Sequence, residues 1–338
     1  MRRSLVMILL ILSIPLFALL NLVMGSVSIP FGEVFSILFG NDCESEVWQN
    51  IVMLTRLPQT LTAIACGAGL AVAGLEMQTV FQNPLAGPSV LGVSSAASLG
   101  VAFVVLLSGA LGGSLMSQFG IMGNTALTLA AIMGSMLVML LIVWLSRKVD
   151  SNVTLLIAGV MIGYIATAII GVLKYFSSEE DIRAYVIWGL GSFARVTGGQ
   201  VYVFCSLMAV LLPLTCLLVK PLNMLLMGER YATNLGLNVK RTRFLIITSA
   251  GIIIAIVTAY CGPIMFLGLA VPHISRGLFR TSDHRWLVPA TILAGASLAL
   301  VCNLIARLPG FEGALPINSV TALIGAPVAL WVLLKRKK

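Results

Sequence analysis

The sequence contains very little charge. Only 10% of its 338 residues are Asp, Glu, Lys or Arg, against about 25% in an average soluble domain. It has two histidines, His273 and His284, and its six cysteines form no C-x-x-C pair. Cysteine-based zinc sites and dithiol redox motifs need such pairs or a histidine at ligand spacing. The composition therefore argues against a soluble domain, a metal site and a disulfide framework.

Motifs for hydrolysis and nucleotide binding are also missing. The chain contains no G-x-x-x-x-G-K-[ST] phosphate loop, no H-E-x-x-H and no G-x-S-x-G. These patterns supply the phosphate cradle, the metal ligands or the nucleophile that such chemistry needs. We therefore expect no catalytic residue, no metal ligand and no cofactor on this chain.

Long hydrophobic runs are what the sequence does have. Hydrophobic residues make up 59% of it, and the mean hydropathy is +1.05. A bilayer core of roughly 30 Å needs about 20 apolar residues per helix, and backbone groups in lipid must bond within their own segment. The sequence thus predicts an all-α polytopic membrane protein, a single domain over 1–338, with ten transmembrane helices near 5–24, 60–81, 90–108, 125–145, 153–173, 201–219, 244–261, 264–279, 287–305 and 316–334.

The distribution of basic residues predicts the orientation. If the N-terminus is cytoplasmic, ten spans place 16 of the 21 Lys and Arg residues inside, as the positive-inside rule requires. The remaining five are Arg56, Lys174, Arg183, Arg195 and Arg307. We expect both termini in the cytoplasm and interpret the net charge of +9 as a topology signal, not as a nucleic-acid footprint.

The longest polar interruption between two spans is residues 220–243. It carries Lys220, Glu229, Arg230, Lys240, Arg241 and Arg243. Between these charges, 224–227 and 231–237 keep an apolar rhythm that a free linker would not need. We interpret the segment as a short helix outside the bilayer that is presented to a partner protein.

The region 56–100 is the most patterned part of the chain. Glycine and alanine line the predicted second span, which suits close helix packing, and a polar, proline-broken turn follows it. Backbone freed by such a break must be buried in protein or line a water-filled cavity. We therefore expect a translocation path that includes Glu76, Gln78, Asn83, Pro84 and Ser94.

Glu76 is the only carboxylate deep in a predicted span. An ionised group there is costly unless it is paired or hydrated. One alternative is that Glu76 faces the translocation path or forms a salt bridge. The other is that it lies close enough to the cytoplasmic end of the span to be solvated.

Two further patterns leave alternatives open. Ser151 and Asn152 follow a short basic turn, where either could cap a helix. The tetrapeptide GLAV occurs at 69–72 and again at 268–271, which is weak support for the inverted internal repeat found in transporters.

Five ordered motifs resemble one family of membrane permeases. They are Arg-Leu-Pro at 56–58, QNPLAGPSVLGVSS at 82–95, LNMLLMGERYATNLG at 222–236, GLAVPHISR at 268–276 and TALIGAP at 321–327. Together they resemble the permease subunits of type II ABC importers for iron-siderophore complexes, haem and vitamin B12.

The resemblance implies a machine of several subunits. The permease would pair with a second copy of itself, as the first expectation, or with a close paralogue, and the pair would enclose the substrate path in the bacterial inner membrane. Two cytoplasmic ATP-binding subunits would carry ATP and Mg, and a periplasmic or lipid-anchored substrate-binding protein would dock on the other side. An iron-siderophore is the first expected substrate, with vitamin B12 or haem as alternatives. An ion-coupled secondary transporter is a different-class alternative, but Glu76 is the only ionisable residue that would serve it.

The resemblance also assigns residues. It places on the ATPase-coupling helices Leu225, Gly228, Glu229, Ala232, Leu235 and Gly236. Arg56 and Arg307 match arginines that dock the binding protein, and Ser151 and Asn152 match the cytoplasmic gate.

The chain departs from the family pattern at four positions. Asn303 stands where an Asp is usual, Ala314 replaces a Glu with Glu312 two positions away, and Asn318 replaces a common Gly. Glu76 occupies a position usually filled by a small or apolar residue. These departures put docking through the usual acidic residues in doubt.

Overall fold

A computed structural model describes residues 2–25, 27–41, 43–110, 115–149, 151–308 and 314–335. Over these ranges the chain is helical and forms no strand. Its α-helices are α1 (Arg2–Val23), α2 (Phe31–Leu38), α3 (Glu46–Asn50), α4 (Leu57–Val80), α5 (Val93–Ala110), α6 (Leu115–Lys148), α7 (Asn152–Tyr175), α8 (Glu179–Gly189), α9 (Gly199–Thr215), α10 (Val219–Leu226), α11 (Glu229–Asn234), α12 (Val239–Cys261), α13 (Leu267–Phe279), α14 (His284–Ala306) and α15 (Ile317–Lys335).

The helices confirm the prediction of an all-α membrane protein. Seven helical stretches in the described part of the chain are long and apolar enough to cross a bilayer: Arg3–Val23, Glu46–Val80, Asn124–Lys148, Asn152–Tyr175, Gly199–Leu226, Val239–Cys261 and His284–Ala306. Val93–Leu107 and Ile317–Leu330 are shorter apolar helices. The 13 residues of α13 extend about 20 Å, short of the roughly 30 Å hydrocarbon core. The predicted run near 264–279 thus contains only a short helix, and the count of ten crossings stays a prediction.

Helix α4 lies at the centre of the bundle. Of the 18 most apolar consecutive residues in its membrane-length stretch, 89% are buried. Helix α4 contacts α9, α12, α13 and α14. Glycines make these contacts close. A side-chain carbon at Gly74 would lie 1.8 Å from the carbonyl oxygen of Gly268 on α13, and one at Gly67 would lie 2.3 Å from that of Gly295 on α14. Both GLAV segments thus lie on helices that pack together, although their relation by inverted symmetry stays a prediction.

The start of the second span differs from the expectation. The run predicted near 60–81 lies in α4, which begins at Leu57 with Pro58 in its first turn. However, α3 runs into a π-helical turn over Ile51–Arg56 that continues directly into α4, so the helical stretch starts earlier. In this turn the backbone N–H of Leu57 bonds to the carbonyl of Val52, five residues earlier. A π turn of this kind accommodates the missing N–H of a proline inside a continuous helix.

The first helix is held by a helix near the end of the chain. Only 11% of the 18 most apolar consecutive residues of α1 are buried, and the helix packs mainly against α14. The Ser13 and Ser297 hydroxyl oxygens are 2.7 Å apart, and Asn21 Nδ2 donates to the carbonyl of Leu300 at 3.0 Å. Polar groups thus fix a helix that otherwise faces lipid.

Candidate functional site

The polar segment 220–243 forms two short helices and the start of a third, so the prediction of a single helix was wrong. Helix α10 ends at Leu226, and α11 spans only Glu229–Asn234. Gly228 and Gly236, with φ of 100° and 86°, flank α11. Only glycine adopts such angles without steric cost, so these two residues divide the segment.

The two short helices have one buried and one exposed apolar face. Of the predicted coupling residues, Leu225 and Ala232 are buried, whereas Leu235 is 51% exposed. The other exposed apolar side chains here are Leu226 (44%), Met227 (63%) and Tyr231 (48%). We call these four exposed residues, Leu226, Met227, Tyr231 and Leu235, the coupling face. The apolar rhythm in the sequence indicates such a face but not which residues form it.

Glu229 connects the polar segment 220–243 to the bundle. Its Oε1 accepts hydrogen bonds from Asn152 Nδ2 at 2.6 Å and from Arg243 Nη2 at 2.8 Å. Arg243 is almost fully buried, and its Nη1 also donates to the carbonyl of Val149 at 3.1 Å. Glu229, assigned to coupling, and Asn152, assigned to the gate, are therefore in direct contact. The buried Arg243 binds the same carboxylate oxygen, and the sequence pattern does not distinguish it from the other basic residues of the segment.

The two predicted gate residues have different local roles. Ser151 caps α7, since its Oγ accepts from the backbone N–H of Thr154 at 3.3 Å. Asn152 is the first residue of α7, and its Nδ2 also donates to the carbonyl of Val80 at 2.9 Å. The capping interpretation thus holds for Ser151, while Asn152 bridges α7, α4 and α11.

The end of α4 gathers bonds from four other helices. These bonds join Gln78 with Arg276 of α13 (2.5 Å), Thr79 with His284 of α14 (2.9 Å), the carbonyl of Val80 with Asn152 of α7 (2.9 Å), and Gln82 with the carbonyl of Leu225 of α10 (3.3 Å). We call Gln78–Gln82 the α4 junction. The segment 220–243 and the start of α7 therefore bond to the same turn of the chain.

Asn223 ties α10 to the start of α14. Its Nδ2 donates to Asp283 at 2.7 Å, and its Oδ1 accepts from the backbone N–H of His284 at 2.8 Å. The Arg285 backbone N–H and the Asn223 amide lower the pKa of the Asp283 carboxyl, because hydrogen bonds to a carboxylate favour its charged form. This anchor was not found from the sequence, since Asn223 and Asp283 are 60 residues apart.

Arg56 is a buried helix cap in this conformation. It is 1% exposed, and its Nη1 donates to the carbonyls of Leu22 (2.7 Å) and Val23 (2.8 Å), while Nη2 reaches that of Val27. The last carbonyls of a helix have no partner within the helix, and Arg56 supplies one for α1. The Arg56 side chain is thus buried in this conformation, and its role in docking stays a prediction.

Arg307 is half-buried and lies near the same point. A side-chain carbon at Gly25 would lie 2.9 Å from Arg56 Nη2 and 3.1 Å from Arg307 Nη2. Burial lowers the pKa of the Arg307 guanidinium, because desolvation disfavours the charged form. The two predicted docking arginines thus converge on Gly25, with Arg307 the more accessible.

Asn303 belongs to a buried chain of amides. Gln59 Nε2 donates to Asn303 Oδ1 at 2.9 Å, and Asn303 Nδ2 donates to Asn21 Oδ1 at 2.8 Å. An Asp at position 303 would have no donor for Asn21. Asn303 thus joins α1, α4 and α14 through one donor and one acceptor. Ala314 is exposed, and Glu312 lies outside the described residues.

A cavity of about 230 Å³ lies between the proline-rich turn after α4 and the segment before α13. Serines contribute one side of it, and Ile264, Met265, Phe266 and Leu269 contribute the other. Ser94 is the one residue of the predicted path set that lines it, with its Oγ 3.3 Å from Thr258 Oγ1. The cavity is therefore mostly apolar, with hydroxyl groups on one wall.

The other predicted path residues have structural partners. Asn83 Oδ1 accepts from the backbone N–H of Leu85 at 3.0 Å, which closes the turn, and the carbonyl of Pro84 is 2.8 Å from His273 Nε2. Gln78 lies in the α4 junction. Their contact with a substrate stays a prediction.

Glu76 is fully buried between α4 and α12. Ser249 Oγ donates to its Oε1 at 3.2 Å, and Oε2 has no hydrogen-bond partner among the described residues. The alternative of a solvated helix end is therefore wrong. A role in the translocation path stays a prediction, since Glu76 does not line the cavity described above.

Comparison with known proteins identifies the family. The chain matches the FecCD transport family over residues 9–335. It is 39% identical over 311 residues to the vitamin B12 import system permease protein BtuC of Escherichia coli O17:K52:H18, covering 92% of this chain and 87% of that protein. It is 38% identical over 322 residues to the protein of the same name from Klebsiella pneumoniae subsp. pneumoniae, covering 94% and 90%.

Solved structures agree with this result. A metal-chelate type ABC transporter in an inward-facing conformation superposes with a TM-score of 0.82 at 30% identity, over 99% of this chain and 100% of that one. PsaBC from Streptococcus pneumoniae superposes with a TM-score of 0.55 at 16% identity, over 89% and 94%, and shares the fold alone. The chain therefore belongs to the FecCD transport family and is a multi-pass membrane permease of an ABC importer.

Proposed function

We propose that this permease imports a corrinoid of the vitamin B12 class as a homodimer driven by two separate ATP-binding subunits. The substrate class is supported by relatives named for vitamin B12 import at 38–39% identity. The sequence motifs alone put an iron-siderophore first, and siderophores and haem remain the alternatives. A substrate-binding protein delivers the cargo, and ATP and Mg are bound by the partner subunits.

The observation that carries the proposal is the exposed coupling face. Leu226, Met227, Tyr231 and Leu235 form an apolar patch on a segment that also carries Glu229 and three basic residues near its end. Contiguous exposed apolar patches rimmed by polar residues mark protein–protein interfaces, and Met and Tyr are enriched in them. The coupling face is therefore the docking site for the ATP-binding subunit.

The Glu229 contacts provide a route from that docking site to the gate. An ATP-driven displacement of α11 pulls on Asn152 at the start of α7 and on the carbonyl of Val80 at the α4 junction. Energy enters because the ATP-binding subunits contact two permease conformations with different free energies. The exchange of outward-open and inward-open states requires no covalent step on this chain.

The size of the cavity supports a second permease copy. Pockets that enclose drug-sized ligands measure about 300–1,000 Å³, whereas the cavity here measures about 230 Å³. This cavity of one chain is therefore too small to enclose a larger metal chelate. A path between two copies supplies the missing wall.

The orientation follows from the same assignment. The coupling face belongs on the cytoplasmic side, where the ATP-binding subunits lie, and this agrees with the basic residues of 220–243. The N- and C-termini are then cytoplasmic, and Arg56, Arg307 and α8 lie on the periplasmic side. Arg307 is the more accessible arginine for an acidic surface of the binding protein.

An ion-coupled secondary transporter is less well supported. Such a transporter needs ionisable residues inside its spans, and Glu76 is paired with Ser249 in the packed bundle.

The substrate is tested by uptake. Cells that lack this gene should lose accumulation of radiolabelled cyanocobalamin and regain it with the wild-type gene, while uptake of ferric siderophores and of haem is unchanged. Loss of siderophore or haem uptake instead would replace the proposed substrate. Uptake that follows an ion gradient in cells depleted of ATP would overturn the importer mechanism.

The coupling route is tested with Glu229→Ala. About a third of the Glu229 side chain is exposed, so water weakens its two bonds, and we expect a loss of roughly 1.4 kcal/mol, or about tenfold in coupling. Substrate transported per ATP hydrolysed, measured in proteoliposomes with both partners, should fall by about that factor.

Two further variants control this experiment. Asn152→Ala should also lower the substrate transported per ATP hydrolysed. The variant that combines Glu229→Ala with Asn152→Ala should lose less than the product of the two single fold-losses, because both substitutions remove the same contact. Thr233→Ala changes an exposed position of the same helix and should transport normally. An unchanged transport ratio in Glu229→Ala would contradict the coupling route.

A further inference from the structure

Asn318, in the first turn of α15, uses both ends of its side-chain amide. Nδ2 donates to the carbonyl of Pro263 at 2.5 Å and to that of Gly189 at 3.2 Å, and Oδ1 accepts from the backbone N–H of Met265 at 3.0 Å. Three of the four hydrogen bonds that an amide can make are thus directed to backbone groups of two other segments.

These bonds join three segments that are distant in the sequence. Gly189 is the last residue of α8, Pro263 and Met265 lie in the non-helical stretch between α12 and α13, and Asn318 belongs to α15. The separations along the chain are 129, 55 and 53 residues. End-of-helix and loop backbone groups need partners when water is excluded, and the single amide of Asn318 supplies them to both segments.

The backbones around Asn318 approach closely. Gly262 has φ of 78°, and a side-chain carbon there would lie 2.8 Å from the carbonyl oxygen of Trp188. Gly191 has φ of 70°, and a carbon there would lie 3.2 Å from Ile317 Cγ2. The glycines thus allow these backbone segments to approach closely. Because glycine has no side chain, other residues must fix the position of one segment relative to the other.

The segment held by Asn318 forms one wall of the cavity. Met265 and Phe266 line the cavity, and Phe266 adopts a φ of 67°, which a residue with a bulky side chain rarely takes. Gly325 of α15 leaves room for the Phe266 side chain, since a carbon at Gly325 would lie 2.4 Å from Phe266 Cβ. Helix α15 therefore supports this wall at two points.

We propose that Asn318 is a positioning residue that fixes the Pro263–Phe266 wall of the cavity against α8 and so sets where Met265 and Phe266 meet the cargo. The proposal rests on the assignment of this cavity to the translocation path. Only an amide of this length provides two donors and one acceptor at this position. An aspartate keeps the acceptor for Met265 but cannot donate to Pro263 or Gly189, and glycine keeps neither.

The position of the wall is measured directly by cysteine labelling. A cysteine placed at half-exposed Met265 reports on the wall, and one placed at half-exposed Leu85 reports on the opposite side of the cavity. Labelling by a water-soluble maleimide is quantified for each peptide by mass spectrometry in the assembled transporter. Asn318→Asp should change the labelling rate at Met265→Cys by about threefold or more and leave that at Leu85→Cys unchanged, since local opening governs access to a thiol.

Matched variants separate positioning from general loss of folding. Ser319→Ala alters the neighbouring exposed residue and should change neither rate. Asn318→Gly should act like Asn318→Asp but more strongly, at equal membrane abundance. An unchanged rate at Met265→Cys, or an equal change on both walls, would overturn the proposal. Since labelling needs no cargo, this result is independent of whether the substrate is a corrinoid.

Discussion

The contact between α4 and α13 sets a strict limit on residue size at Gly74. A side-chain carbon there would lie 1.8 Å from the carbonyl oxygen of Gly268, whereas ordinary contacts begin at 3.4 Å. The two backbones would therefore have to separate by the difference, about 1.6 Å. Overpacking of this kind costs about 1–3 kcal/mol, and the upper end applies because the obstruction is backbone and not a flexible side chain.

Gly74→Ala should therefore lower the apparent melting temperature of the purified permease by several degrees, at roughly 2 °C for each kcal/mol in a long chain. Gly171→Ala is the matched control, because Gly171 lies in α7 with nothing within 4 Å of an added carbon. In an exposed helix, alanine is about 0.5–1 kcal/mol more favourable than glycine, so this variant should melt at or above the wild-type temperature. Equal melting of Gly74→Ala and wild type would refute the close packing of α4 on α13.

Two other substitutions test the α1 contacts. Arg56→Lys keeps the positive charge, but a lysine ammonium lacks the planar fork of donors with which the guanidinium reaches three carbonyls. It should therefore lower the melting temperature by an amount equivalent to about 1–3 kcal/mol, whereas Arg307→Lys should not. Equal melting temperatures of the two variants would leave Arg56 with a docking role alone. Asn303→Asp leaves Asn21 without its donor and places a carboxyl in a buried site, at a cost of about 1–3 kcal/mol; a Tm equal to wild type would show that the amide chain is dispensable.

The sequence predicts the membrane architecture because hydropathy is a property of single segments. Each predicted span coincides with a helix. The helical continuation before Pro58 was not predicted, because proline favours a helix start and nothing in the local pattern indicates a π turn over Ile51–Arg56.

Contacts between distant residues could not be predicted in the same way. Glu229 and Asn152 were both assigned functional roles, but their 2.6 Å contact joins residues 77 positions apart. Arg243 was interpreted as one of several cytoplasmic charges, although it is buried against Glu229. Asn303 and Asn318 were recognised only as departures from a family pattern, since their partners depend on how the helices pack.

The pairing of α1 with α14 has a consequence for how the protein is made. Ser13 and its partner Ser297 are 284 residues apart, so a ribosome adding about 5–20 residues per second needs roughly 14 to 57 s to synthesise the second after the first. During that interval Asn21 faces lipid without the carbonyl and amide that it binds in the finished bundle. Helix α1 thus enters the membrane long before its main neighbour is made. A factor that shelters its polar face would shorten the period in which the nascent chain is exposed to misassembly.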